Sequence, residues 1–184
     1  MKIEIKGNQG KKYYDEFLYM FANYKKIKSS PRVKIGSASK SAILSELVAI
    51  IGLILLTVYY FNSGKEMLNL LAIIFFAFFA LLATIYLILV FVKIRKLKKS
   101  NEELVFEINK KNIKVSNNDY SYKLNIDELE TIMINENTMF FIPKDDDMSF
   151  LAISSKYKEK IIKFAKENGI DKLIVDNTVN ESED

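Results

Sequence analysis

The 184 residues include no cysteine, no histidine and no tryptophan, and only six glycines and two prolines. Lacking Cys and His, the chain has no means to build a structural zinc site, a thiol nucleophile or a Ser-His-Asp relay. A disulfide framework is impossible, which agrees with a soluble part in the cytoplasm. None of the glycines forms a G-x-G-x-x-G or Walker pattern, so no phosphate-cradling loop is expected. Carboxylates, lysines, tyrosines and hydroxyls remain, and no spacing gathers them into a catalytic set. The sequence therefore predicts a non-enzymatic protein with no cofactor and no bound metal.

Charge is missing too, from one long stretch. Met67 to Val92 is a run of 26 residues without a charged side chain, and 18 of them are Leu, Ile, Val or Phe. At about −0.3 to −0.6 kcal/mol each, those residues favour a bilayer by roughly 5–11 kcal/mol as an upper bound. As a helix the run reaches roughly 39 Å, against a hydrocarbon core of about 30 Å. Ala42 to Phe61 is a second apolar run, interrupted mainly by Ser45 and Glu46. A carboxylate one turn inside a span edge reads first as an interfacial residue reaching outward, and second as a functional group. Only Asn62, Ser63, Gly64, Lys65 and Glu66 separate the runs, so a tight antiparallel transmembrane hairpin is expected. Ala77, Ala80 and Ala83, with Ala49 and Gly52 opposite, are the small residues expected to bring the helices together.

Basic residues cluster on one side of this hairpin. Lys25, Lys26, Lys28, Arg32, Lys34 and Lys40 precede it, and Lys93, Arg95, Lys96, Lys98 and Lys99 follow it. Such residues stay cytoplasmic, so the chain is expected to be a multi-pass protein of a bacterial inner (plasma) membrane with both termini in the cytoplasm. The first 24 residues offer no continuous apolar stretch of the kind a cleavable signal needs. The same eleven side chains are the candidate lipid-headgroup ligands. Charge is uneven along the chain: residues 1–41 hold ten basic against three acidic side chains, while 100–184 hold eleven lysines against eighteen acids. That acidity argues against nucleic acid as a partner.

Outside the two runs, the pattern shifts to short elements. Lys2-Ile3-Glu4-Ile5-Lys6 alternates as a half-buried strand. Tyr14, Phe17, Leu18, Phe21 and Tyr24 form an aromatic stripe on a helix over Lys11–Lys28, which either lies in the membrane interface or packs on the soluble domain. Strands are expected at Leu104–Ile108, Ile113–Ser116, around Tyr120, Tyr122 and Leu124, from Ile126 to Ile134, at Met139–Ile142 and at Met148–Ile153. They read as an antiparallel meander. An amphipathic helix carrying Tyr157, Ile161, Phe164 and Ala165 follows, with Ser154 or Ser155 at its start and Gly169 at its end. Ile170–Val175 reads as a short strand or an extended tail, and 177–184 as disordered. Asp145-Asp146-Asp147 suits a hard cation by ligand type. Neighbouring residues of an extended segment face opposite ways, however, so a solvated turn is the better reading.

The fold class is thus α+β. The domains expected are 1–41, an N-terminal strand and amphipathic helix; 42–92, the hairpin, with spans 42–61 and 67–92; 93–176, a cytoplasmic domain; and 177–184, a tail. This order resembles the YcxB-like family of bacterial membrane proteins. Locally, Ile126-x-x-Leu129-x-x-Ile132 and Phe140-Phe141-Ile142-Pro143-Lys144 resemble motifs of that family, while Asp145-Asp146-Asp147 departs from its pattern. The resemblance implies a small pleckstrin-homology-like domain, a partly open barrel capped by the C-terminal helix, and implies no activity. The expected role is a membrane anchor presenting that domain to a protein partner, less readily to lipid. Immunity against a membrane-active toxin and an accessory role in a transporter are the alternatives.

Overall fold

A computed structural model describes residues 1–5, 9–63, 67–99, 103–117, 119 and 121–178, apart from the side chain of residue 68. The expected turn at Gly64–Glu66, the end of the first strand at Lys6, Tyr120 and most of the tail lie outside the described residues. The chain divides into two compact units, Met1–Ile35 with Leu97–Asp184, and Gly36–Lys96.

The first unit holds two four-stranded sheets. In one, β1 (Lys2–Ile5), β2 (Leu104–Ile108), β3 (Asn112–Ser116) and β4 (Ser121–Asn125) pair in sequence order, all antiparallel. Ile3 opposite Phe106 sets the register that joins the first residues of the chain to a strand a hundred positions later. Asn109 makes the β2–β3 turn tight by accepting the backbone N–H of Lys111 and Asn112 on its Oδ1, each at 2.9 Å. The strands alternate exposed and buried, as a sheet with one face in solvent requires.

The second sheet has the order β7 (Leu151–Ser154), β6 (Thr138–Pro143), β5 (Leu129–Ile134), β8 (Ile174–Asp176). Its central strands are buried on both faces, which is why Met139–Ile142 reads as a continuous apolar run and not as an alternation. Ile132, Ile134, Met139 and Phe141 point toward the first sheet and share its core with Ile161. Met133, Phe140 and Ile142 point the other way, onto Met20, Ile27 and Ile35.

Those last three residues belong to or follow two helices, α1 (Lys11–Ala22) and α2 (Tyr24–Lys28). The single helix expected over Lys11–Lys28 is interrupted at Asn23, whose Nδ2 donates to the Tyr19 carbonyl at 2.9 Å. The aromatic stripe packs on the domain: Phe17 meets Phe150 with tilted rings and Tyr24 stacks on it, with ring centroids 5.6 and 5.3 Å apart. Phe21 departs from the stripe and remains 67% exposed. The last helix of the unit, α5 (Lys158–Glu167), follows a 3₁₀ turn whose Lys156 N–H is accepted by Ser154 Oγ. Gly169 ends it at φ +67, a left-handed conformation that suits glycine.

Three expectations need correction here. The meander is split between two sheets, and β8 pairs with β5 in parallel, its approach made by the α5 crossover. The sixth strand starts at Leu151, not Met148, because Asp145–Ser149 turns back on itself through Asp145 Oδ1 accepting the Asp147 N–H. Asn177 is ordered: its backbone N–H meets the Ile134 carbonyl, and its Nδ2 donates to the carbonyls of Pro31 and Val33 at 3.0 and 3.2 Å.

The second unit is an antiparallel pair of long helices, α3 (Ala38–Asn62) and α4 (Met67–Lys99), the latter running on past the unit into the basic segment. Ser37 caps α3 by accepting the Lys40 N–H on its hydroxyl at 3.0 Å. The inward positions recur at intervals of four and three: Ala42, Glu46, Ala49, Leu53, Leu56 and Tyr60 on α3, and Ile73, Phe76, Ala80, Ala83, Leu87 and Val90 on α4. This is the 3.5-residue repeat of helices that pack as a left-handed pair. Ala77 falls outside that repeat and faces outward, against the expectation from its spacing with Ala80 and Ala83. Gly52 lies under the Phe76 ring; a Cβ there would stand 2.6 Å from Phe76 Cε1.

Candidate functional site

Three features carry chemistry. The first is the basic set. In the sequence, positive and negative charge are far apart, but the fold brings them together. The unit built from 1–35 and 97–184 holds twenty-two basic side chains against twenty-one acidic ones, nearly balanced. Lys28 donates to Asp146 Oδ1 and to the Lys144 carbonyl, both at 2.6 Å, and stands 3.6 Å from Glu130. That contact holds the Asp146 carboxyl below its ordinary range. Lys34 pairs with Glu136 at 2.6 Å. Lys28 and Lys34, both headgroup candidates, are therefore engaged by carboxylates of the C-terminal segment. Lys25, Lys26, Arg32, Lys40, Lys93, Arg95, Lys96, Lys98 and Lys99 are exposed on the surface. The central aspartate of the triplet serves as an ion-pair partner, and among the described residues no group of acids is arranged to hold a metal.

The second feature lies between the long helices. Glu46 turns inward, not outward, and Thr84 Oγ1 donates to its Oε1 at 2.8 Å. Its Oε2 is shielded from solvent and has no hydrogen-bond partner among the described residues. Asn69 Nδ2 donates to Ser63 Oγ at 3.0 Å near the other end of the pair. Thr84 had a signal in the sequence: Glu46 and Thr84 are equally far from Lys65, the middle of the connecting turn.

The third feature is an apolar cavity of about 270 Å³ in the first unit. The inner face of the first sheet forms its floor through Ile5, Phe106 and Val115; α1 supplies Tyr13, Tyr14 and Phe17, and Leu151 and Ala152 come from β7. Two of its tyrosines, Tyr13 and Tyr122, commit their hydroxyl protons to backbone carbonyls. Tyr13 donates to the Ala152 carbonyl at 3.2 Å and Tyr122 to the Ser149 carbonyl at 3.0 Å, while Tyr14 accepts the Gln9 N–H. Among the described residues no charged side chain lines it. Phe150 had no special standing in the sequence, although an aromatic residue three positions after an acidic triplet was a usable signal.

Behind α1, Glu16 fixes the helix to the β5–β6 turn. It is only 8% exposed and accepts from both the backbone N–H and the side-chain amide of Asn137. Burial pushes its carboxyl up, and the hydrogen bonds from Asn137 and Thr138 recover only part of that shift.

No family model matches this chain, and neither a curated protein nor a solved structure is significantly similar to it.

Proposed function

We infer that the chain is a non-enzymatic integral protein of a bacterial inner membrane. In this reading α3 and α4 cross the bilayer as a hairpin, and the remaining residues present a cytoplasmic, pleckstrin-homology-like domain to a protein partner. One observation carries it: the outward faces of α3 and α4 are almost wholly apolar, with Ile54, Leu55, Phe75 and Phe78 each more than half exposed. Water-soluble monomers rarely expose continuous apolar patches beyond a few hundred Å². Lipid removes that cost.

Length and polarity support the same reading. The helices of 25 and 33 residues reach about 37 and 50 Å, against a hydrocarbon core of about 30 Å. The excess on α4 carries Lys93, Arg95, Lys96, Lys98 and Lys99, which favours that end in the cytoplasm. Glu46 and Thr84, and Ser63 and Asn69, turn toward each other, which suits side chains in lipid. The resemblance to the YcxB-like family supports the domain type through the order of its elements. The near balance of charge in the domain favours a protein surface over a phosphate-rich one. Headgroup contact is the second reading, favoured by an open cleft rimmed by Lys110, Lys111, Lys144 and Lys172.

Extraction of expressing cells' membranes with alkaline carbonate tests the anchor: the chain is expected in the pellet, and its release would overturn the reading. For the domain, the full chain in neutral nanodiscs is expected not to capture anionic vesicles; strong capture would favour headgroup contact instead.

A further inference from the structure

We propose that the cavity beneath α1 binds the hydrocarbon tail of a single-chain anionic lipid, the headgroup lying toward Lys98 and Lys99. Apart from Gln9 the wall is aromatic and aliphatic, and Tyr13 and Tyr122 spend their hydroxyl protons on backbone carbonyls, so a strongly polar occupant would find few hydrogen bonds. The absence of a charged side chain among the described lining residues means that the buried part of the ligand is uncharged. At 270 Å³ the space is nearly twice the roughly 150 Å³ of an apolar cavity that holds benzene. It sits just below the range of about 300–1,000 Å³ that encloses drug-sized ligands. One short chain fits; the paired chains of a phospholipid do not. Leu97, in the last turn of α4, lines the cavity and is followed directly by two exposed lysines. Charge complementarity therefore selects an acidic headgroup. The proposal relies on the bilayer reading only for the source of the lipid.

The test uses the full chain in phosphatidylcholine liposomes with a trace of dodecanoic acid bearing a diazirine near the chain end. After irradiation, adducts are mapped by mass spectrometry. Adducts are expected on peptides containing Tyr13, Phe17, Tyr122 or Phe150, reduced several-fold by excess unlabelled dodecanoic acid. Ala152→Trp, which fills the cavity, should abolish them while adducts on the outward faces of α3 and α4 persist. Adducts confined to α3 and α4 would overturn the cavity proposal and leave the bilayer reading standing. Cavity adducts with none on α3 and α4 would do the reverse. Labelling in the wild-type chain that resists competition would also overturn the cavity proposal, whether or not the tryptophan variant folds. The corresponding diazirine dodecanol is expected to label the cavity several-fold less; equal labelling would remove the assignment of an acidic headgroup.

Discussion

Phe140 in β6 has no exposed surface, whereas Phe78 in α4 leaves 56% of its own open. The contrast extends to the whole of each unit. In the sheet unit the large apolar side chains turn inward and lysines and glutamates coat the outside. In the helical pair the balance differs: Ala42, Ala49, Gly52, Glu46 and Thr84 lie inside among a few larger side chains such as Leu53 and Phe76, and most of the Leu, Ile and Phe lie outside. Burial follows the solvent. On the proposed bilayer reading, a unit in water hides its apolar surface, while a pair in lipid gains nothing by hiding it and relies on close packing and matched polar groups.

That comparison can be broken most sharply at its two phenylalanines. Phe140→Ala should destabilise the sheet unit by about 3–5 kcal/mol, and Phe78→Ala should change stability by no more than about 0.5 kcal/mol. Thermal unfolding of the full chain in nanodiscs, followed by near-ultraviolet circular dichroism, separates them; equal effects would refute the contrast. Within the helical pair, Gly52→Leu should cost about 1–3 kcal/mol through overpacking against Phe76, read as a loss of compactness of the hairpin on detergent gels. Thr84→Val should cost less, about 0.6 kcal/mol and at most about 1.7. Glu46→Gln retains the acceptor and is expected to leave the pair intact.

In the water-facing unit, Glu16 sharpens the contrast through pH. Its folded pKa lies above the ordinary 4.5, so between those values the folded state retains a proton that the unfolded chain has lost. Its contribution is fully present below 4.5 and is lost as pH rises through the folded value. Melting temperature measured against pH should show this decline in the wild type and not in Glu16→Gln. The smallest effect belongs to Asp146→Ala. Its carboxyl is held low by the Lys28 hydrogen bond, so the contribution is present above the ordinary carboxylate range and fades as pH falls below it. Salt should erase it.

Much of this was legible along the chain. Period-two alternation placed β1 to β3, and the 26 uncharged residues placed α4, because both signals are local. Asn23 was not read as a break, since Tyr24 to Lys28 continue the helical spacing beyond it. The cavity was invisible for a different reason. Its walls come from β1, α1, the end of α4, β2, β3, β4 and β7, whose sequence neighbours carry no mark of it.

By itself the sequence determined that two helices are long and apolar enough to cross a membrane, that no thiol or imidazole chemistry is available, and where most strands lie. Those facts depend on composition and on periods of two and three and a half residues. Only the tertiary structure decided that the first strand would pair with Leu104–Ile108, and that the basic N-terminal arm would neutralise the acidic C-terminal segment. Both are contacts between residues about a hundred positions apart. Such contacts depend on how segments distant in the chain pack together, and no local pattern encodes that.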